Sequence, residues 1–314
     1  MPGPRDIDSA VPAFAALPGT RITLGDGREW AAVHQAGRLA TNRVPVICVA
    51  GYTRNMTDYA QFVPLFQAQL RTDWPVVLVD LRGHGRSSDR RRADDYVATN
   101  DALDLAAVAS AIGAETAIFV GQGHGGHAIM ALAAQRPMLL AGAVLIDAGP
   151  VTSPPGLVRL RTNLAQLDQV HGTSGLVTMR RRILSTGYPG LSPEALDRLA
   201  DHTHFLDRDR AVPLFDTALI SRLAGMAFDD VLLPQWPLFD VLKGVPLMLL
   251  RTQLTDQLPE AVLDEMMRRR PDAVSLEIGG QGSPALLDHA EEVGAIADFV
   301  RRVARVGERA AKRA

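Results

Sequence analysis

Short apolar runs and longer stretches of helical period alternate along the first half of the chain, the pattern of βαβ units feeding a mostly parallel sheet. Val46-Ile-Cys-Val-Ala, Val76-Val-Leu-Val-Asp, Ala117-Ile-Phe-Val-Gly and Ala143-Val-Leu-Ile-Asp are almost wholly apolar, as strands covered on both faces must be. Helices are predicted between them over Asp58 to Leu70, Asn100 to Ile112 and His124 to Gln135. Ahead of these, Arg21-Ile-Thr-Leu and Glu29-Trp-Ala-Ala-Val-His flank Gly25-Asp26-Gly27, an antiparallel hairpin whose turn suits positive φ.

After Asp147 the rhythm breaks. Residues 151–240 show no buried-strand pattern and read as a helical insertion, with pieces at Val158 to Val170, Leu176 to Leu184, Pro193 to His202 and Leu214 to Ala227. Strands resume at Val245-Pro-Leu-Met-Leu-Leu and Val274-Ser-Leu-Glu-Ile, followed by helices at Glu260 to Arg269 and Leu286 to Val303. The expected organisation is an N-terminal extension over 1–19, an α/β core over 20–150 and 241–303, a helical cap over 151–240, and a basic tail over 304–314. The last fourteen residues hold six Arg or Lys, which reads as a solvated helix end.

Composition narrows the partner. With 47% hydrophobic and 22% charged residues in 314, the chain can bury a large core. A net charge of −2 gives no electrostatic reason to expect nucleic acid or an anionic membrane. No apolar run is long enough to span a bilayer, and the first residues lack the basic start and apolar stretch of a secretory leader. A single cysteine, Cys48, excludes an internal disulfide and fits a reducing, cytoplasmic setting. A small-molecule ligand is expected, bound by a monomer or homodimer, with no cofactor and no metal.

The candidate chemistry centres on Val120-Gly-Gln-Gly-His-Gly-Gly126, which closes a buried strand and opens a helix. In Gly-x-Ser-x-Gly elbows the flanking glycines let two backbones approach around a strained nucleophile. Gly121 and Gly125 hold the flanking places here, and Gly126 is a further small residue. The apex is Gly123, which has no side chain to react. Gly121, Gly123 and Gly126 also fit a dinucleotide-binding spacing, but on about the fifth strand rather than the first, with Asp147 only a loose match for the acidic partner.

Other segments give the elbow a context. Val49-Ala-Gly-Tyr-Thr-Arg-Asn-Met-Thr-Asp-Tyr59 resembles the loop after the third strand in bacterial small-molecule α/β hydrolases, and Val79-Asp-Leu-Arg-Gly-His-Gly-Arg-Ser-Ser88 is similar to their Asp-x-Arg-Gly-x-Gly-x-Ser loop. Val144 to Pro150 resembles the end of their sixth strand, and Pro246 to Asp256 the strand that bears the triad acid. The resemblance spans residues 20–303. It implies an α/β-hydrolase fold, a mostly parallel eight-stranded sheet flanked by helices with a helical cap, and relatives that act on esters, lactones, epoxides, haloalkanes or carbon–carbon bonds beside a ketone.

By that resemblance the triad acid falls on Asp256, with Asp147 at an alternative acid position, and the histidine falls on Ser283 in Gly280-Gln-Gly-Ser-Pro-Ala-Leu-Leu-Asp288. His289 lies six residues on, inside the start of the last helix. With glycine for nucleophile and serine for base, the Ser-His-Asp machinery is incomplete. The oxyanion-hole donors, being backbone N–H groups, would remain at Tyr52 and His124. His124, His127 and His84 are candidate replacement bases, Ser283 a candidate relocated nucleophile, and His202 and His204 an incomplete metal pair. Arg54 is a candidate carboxylate ligand. Trp236, in the apolar stretch Leu232 to Phe239, is a candidate ligand contact. The expected function is a non-catalytic small-molecule binder for an apolar or carbonyl compound. The alternatives are an enzyme using non-covalent acid–base and oxyanion chemistry (a lyase, decarboxylase, cyclase or isomerase) or a weak hydrolase. A hydrolase whose serine was replaced by hand is disfavoured by the second substitution at Ser283.

Overall fold

The computed structural model describes residues 11–25, 27–39, 43–230 and 232–311. Residues 1–10 of the expected extension, Asp26 of the expected hairpin turn and residues 312–314 of the expected basic tail lie outside them.

Ten strands follow in chain order: β1 (Thr20–Leu24), β2 (Glu29–Ala36), β3 (Val46–Val49), β4 (Val76–Val79), β5 (Ala117–Gln122), β6 (Leu140–Ile146), β7 (His204–Asp207), β8 (Arg210–Pro213), β9 (Leu247–Thr252) and β10 (Val274–Ile278). Eight form one sheet in the order β1-β2-β4-β3-β5-β6-β9-β10. β2 is antiparallel to both β1 and β4, and every other pairing is parallel. β3 and β5 therefore lie side by side at the centre, and their C-terminal ends open onto the same crevice, where ligands of open α/β sheets bind. Val46, Ile47, Cys48 and Val49 are all fully buried, each aliphatic side chain among them contributing roughly 1.5–3 kcal/mol. Burial pushes the Cys48 thiol well above its ordinary range, so it acts as a small apolar residue.

The helices Phe62–Leu70 and Ala290–Ala311 cover one face of the sheet, and Ala98–Ala111 and His124–Gln135 the other. The insertion between β6 and β9 is a helical cap, with helices Pro154–Asp168, Thr173–Ser185 and Pro193–Ala200. It departs from expectation at residues 203–227. Instead of one long helix from Leu214, the chain makes the antiparallel hairpin β7-β8 and only a short helix, Ala218–Ser221. The Asp207-Arg208-Asp209 turn, with Arg208 at φ +55°, reverses the chain. Pro213 cannot donate within a helix, and the Asp216 carboxylate accepts the Ala218 N–H at 3.0 Å and starts the short helix late. The last helix also begins later than Leu286: Leu287 is at φ +51°, and the His289 N–H is capped by the Glu292 carboxylate at 3.0 Å.

Among the described residues no helix is long and apolar enough to cross a membrane.

Candidate active site

The turn after β5 has the shape of a nucleophile elbow, with glycine and no serine at its apex. Gly123 sits at φ +48°, ψ −115°, between the end of β5 and the helix that starts at His124. Its neighbours must be glycine for steric reasons. A Cβ on Gly121 would lie 2.6 Å from the Gly125 carbonyl carbon, and one on Gly125 would lie 2.7 Å from the Ala50 carbonyl oxygen. A Cβ on Gly126 would collide with that of Ala148. Gly123 differs, since a Cβ there would meet only the Gln257 side chain, whose Oε1 would be 2.5 Å away. The flanking glycines are thus fixed by backbone packing, whereas the apex faces open cavity bounded by a movable amide. This placement, on the fifth strand and with Asp147 engaged elsewhere, leaves the glycine spacing to the elbow rather than to a dinucleotide.

The cavity has a volume of about 700 Å³ and runs from the elbow up under the cap; Tyr52, Gly123, His124, Asp147, Gln257 and Ser283 are among its lining. That volume suits a small organic ligand. The backbone N–H groups of Tyr52 and His124 have no acceptor among the described residues. Two unengaged N–H donors beside a strained turn are what an oxyanion hole requires.

The Ser283 hydroxyl meets the carboxylate of Asp147 and lies 2.8 Å from Thr255 Oγ1. Asp147, at φ +49° after β6, also accepts the Thr252 N–H at 2.8 Å and its hydroxyl at 2.7 Å. Burial raises the Asp147 carboxyl, against the lowering effect of these donors. Asp256, the acid expected by resemblance, instead pairs with Arg159 of the cap at 2.7 Å, both partners being partly exposed. The carboxylate in contact with the histidine position is therefore Asp147. Asp147 follows β6 and Asp256 lies in the loop after the neighbouring parallel strand β9, while Ser283 arrives from the loop after β10, one strand further out.

The other candidates divide clearly. His124 projects into the cavity with Nε2 held 2.7 Å from Asp101 Oδ2. Asp101 is itself paired with Arg90 at 2.6 Å, and Arg90 reaches Asp104 at 2.7 Å. Burial pushes the Asp101 carboxyl up, but the hydrogen bonds and charges of His124 and Arg90 outweigh it and hold it below its ordinary range. Asp104 is raised to about 6, chiefly by burial. His127, one turn along, gives its Nε2 to the Gly149 carbonyl at 3.0 Å and is pushed down to about 4, first by burial and then by His124. Tyr52 stacks edge-on against His124 at 5.5 Å, and burial raises its hydroxyl to about 12.

Arg54 lines the cavity with its guanidinium engaged by Asp58. Its guanidinium is clamped in two places on Asp58, with Nε 2.8 Å from Oδ2, and Asp58 also takes His202 Nδ1 at 3.0 Å. It braces the loop alongside Asn55, which donates to the His202 carbonyl at 2.6 Å. Trp236 is absent from the cavity wall; it packs edge-on against Phe239 with the Arg269 guanidinium 4.1 Å over its ring. His84 is buried in the arginine loop with Nδ1 2.9 Å from the Arg82 carbonyl. His289 is exposed and bonded to Asp288. His202 and His204 point apart, His204 packing on Phe215 and pushed down to about 3 by burial. Asp288, His289 and Glu292 come within ligating distance of one another at the start of the last helix, away from the cavity lining.

Two contributors were not foreseen. Asp101 lies 23 positions before its imidazole partner, but it falls on the apolar stripe Ala102, Leu105, Val108 and Ala109, and a carboxylate there signals a buried partner. Gln257 carries no signal of its own.

Comparison with known proteins agrees with this architecture. A 3-hydroxybutyrate-oligomer hydrolase from Cupriavidus necator is 27% identical over 276 residues, covering 83% of this chain and 89% of that protein. The crystal structure of an alpha/beta hydrolase from Novosphingobium aromaticivorans superposes with a TM-score of 0.75 at 27% identity, covering 91% of this chain and 99% of that one. That of E-2-(acetamidomethylene)succinate hydrolase gives 0.71 at 22% identity with the same coverage and shares the fold. The profile of the alpha/beta hydrolase family matches residues 46–296, and the chain belongs to that family.

Proposed function

We propose that this protein binds a small carbonyl compound in its capped cavity and carries out no covalent catalysis at the elbow. The observation that carries this reading is Gly123 at the apex, with the Gln257 amide lying where a nucleophile's side chain would begin. Ser283 supports it, since a hydroxyl bonded to Asp147 cannot take the place of an imidazole base. The cavity and the two free backbone donors argue that binding and carbonyl polarisation survive. The Cupriavidus necator relative is named for 3-hydroxybutyrate oligomers, so hydroxyacyl and β-keto esters are the first ligands to test.

A fluorophosphonate probe should leave the wild-type protein unlabelled, while small carbonyl esters raise its melting temperature by mass action. Gly123→Ser with Ser283→His, and with Gln257→Ala to clear the apex, should acquire labelling and esterase activity that neither single change gives. Labelling of the wild type that disappears in Ser283→Ala would overturn the reading.

A further inference from the structure

We infer that Asp101 and His124 form an acid–imidazole pair that serves this cavity as a general base, moved from the usual histidine loop to the first residue of the elbow helix. The inference rests on the carbonyl-binding reading above and adds an activity to it: proton abstraction next to the bound carbonyl.

Asp101 is buried, receives the Arg90 guanidinium on Oδ1 and faces His124 Nε2 with Oδ2. A carboxylate so held is ionised and can only accept, so Nε2 carries a proton, and in the neutral imidazole the lone pair sits on Nδ1. Nδ1 has no partner among the described residues, and His124 lines the cavity. The ring is fixed on its remaining sides by Tyr52 at 5.5 Å and His127 at 6.2 Å. This is the arrangement by which a buried acid orients an imidazole for base catalysis. Packing alone would not require a doubly engaged carboxylate, with a guanidinium on one oxygen and an imidazole on the other.

The same residue supplies its backbone N–H to the oxyanion hole, so base and hole converge on one ligand. The step is a proton transfer that balances without a co-reactant. The C–H bond α to the ligand carbonyl breaks, and its electron pair moves onto the carbonyl oxygen between the Tyr52 and His124 N–H groups. The proton passes to Nδ1, and the imidazolium is stabilised through Nε2–H by Asp101. Return of a solvent-exchanged proton from Nδ1 to the same face of the enolate completes the exchange.

The probe is ethyl 2-methylacetoacetate, a β-keto ester with one exchangeable C2 proton. Its binding is read by melting temperature, and deuterium uptake from D₂O by proton NMR on each enantiomer. The wild-type protein should raise exchange of one enantiomer over the other, which buffer cannot do. His124→Gln, which keeps the backbone N–H, should lose on the order of a hundredfold of that rate while still binding the ester. Asp101→Asn should lower the rate less. In nitrogen-15 spectra of the imidazoles, the wild-type His124 should show protonated Nε2 and bare Nδ1, and Asp101→Asn should disturb that tautomer. Binding with equal exchange in wild type and His124→Gln overturns the base and leaves the carbonyl-binding reading standing. Absence of both binding and exchange overturns the two together. A wild-type tautomer with the proton on Nδ1 overturns the pair whatever the variants do.

Discussion

Two buried carboxylates flank the empty elbow, and they are used in opposite ways. On one side Asp147 meets a hydroxyl, Ser283, and two groups of Thr252, so its donors are all neutral. On the other side Asp101 meets a guanidinium and an imidazole. The first environment raises the carboxyl and the second lowers it, although both are buried. Burial alone therefore does not decide the charge on an acid in this site; the sign of its partners does. The side whose partners are hydroxyls and a backbone N–H forms a hydrogen-bonded bracket, and the other side holds an imidazole against its carboxylate.

Removing each acid or its partner should separate the two. The largest effect is expected for Asp101→Ala, which leaves the buried Arg90 with Asp104 alone, strips His124 of its acceptor and should cost about 3–4 kcal/mol in urea unfolding. Should that loss fall below 1 kcal/mol, the pairing has little energetic weight. Gly125→Ala comes next, at about 3 kcal/mol, because its Cβ would press on backbone carbonyls of β3 that cannot turn aside. Gly123→Ala meets only the flexible Gln257 but must hold φ +48°, and should still cost less than Gly125→Ala in the same assay. Ser283→Ala removes one donor from Asp147, which keeps both Thr252 contacts, and should cost about 1–2 kcal/mol. A loss as large as that for Asp101→Ala would erase the contrast between the two sides.

A further contrast lies in the pH profile. His127 is at about 4 in the folded protein against an ordinary 6.5. As pH falls from about 6.5 to about 4 the unfolded chain takes up a proton that the folded chain refuses, so stability drops over that window. Asp104, raised to about 6, works in the other direction between about 6 and its ordinary 3.8. His127→Gln should therefore flatten the acid side of the stability curve relative to wild type, measured by denaturant midpoints at pH 7 and pH 4.5. An unchanged slope would show that His127 titrates normally.

Much of the core was legible because its strands are buried on both faces and carry nothing but apolar residues, so β3, β4, β5 and β6 could be read from short runs. The elbow was legible because backbone crowding dictates glycine at Gly121 and Gly125 in any sequence that makes the turn. The cap was read less well. Its β7-β8 hairpin is half-exposed and held by turn chemistry at Arg208 rather than by a buried apolar stripe. Side-chain direction was the least legible of all. Arg54 turned to Asp58, Trp236 to Arg269 and Asp256 to Arg159, each choice being set by a partner distant in sequence or by loop geometry that periodicity does not encode.

The arginine loop has a consequence for how ligand enters. The Gly85 N–H donates to the Leu214 carbonyl at 2.8 Å, the Asp216 N–H donates to the Gly83 carbonyl at 2.7 Å, and Tyr96 gives its hydroxyl to Asp216. These bonds stitch that end of the insertion to the rigid edge of β4. The covering over the cavity is thus tethered along this margin, as it is again at His202 and Tyr188, and traffic should pass where Phe228 and Leu233 stand exposed in the segment that brings Leu232 to the cavity wall. Amide hydrogen exchange should be fast at Phe228 and Leu233 and slow at Gly85 and Asp216; equal rates at the two margins would mean that the covering lifts as a whole.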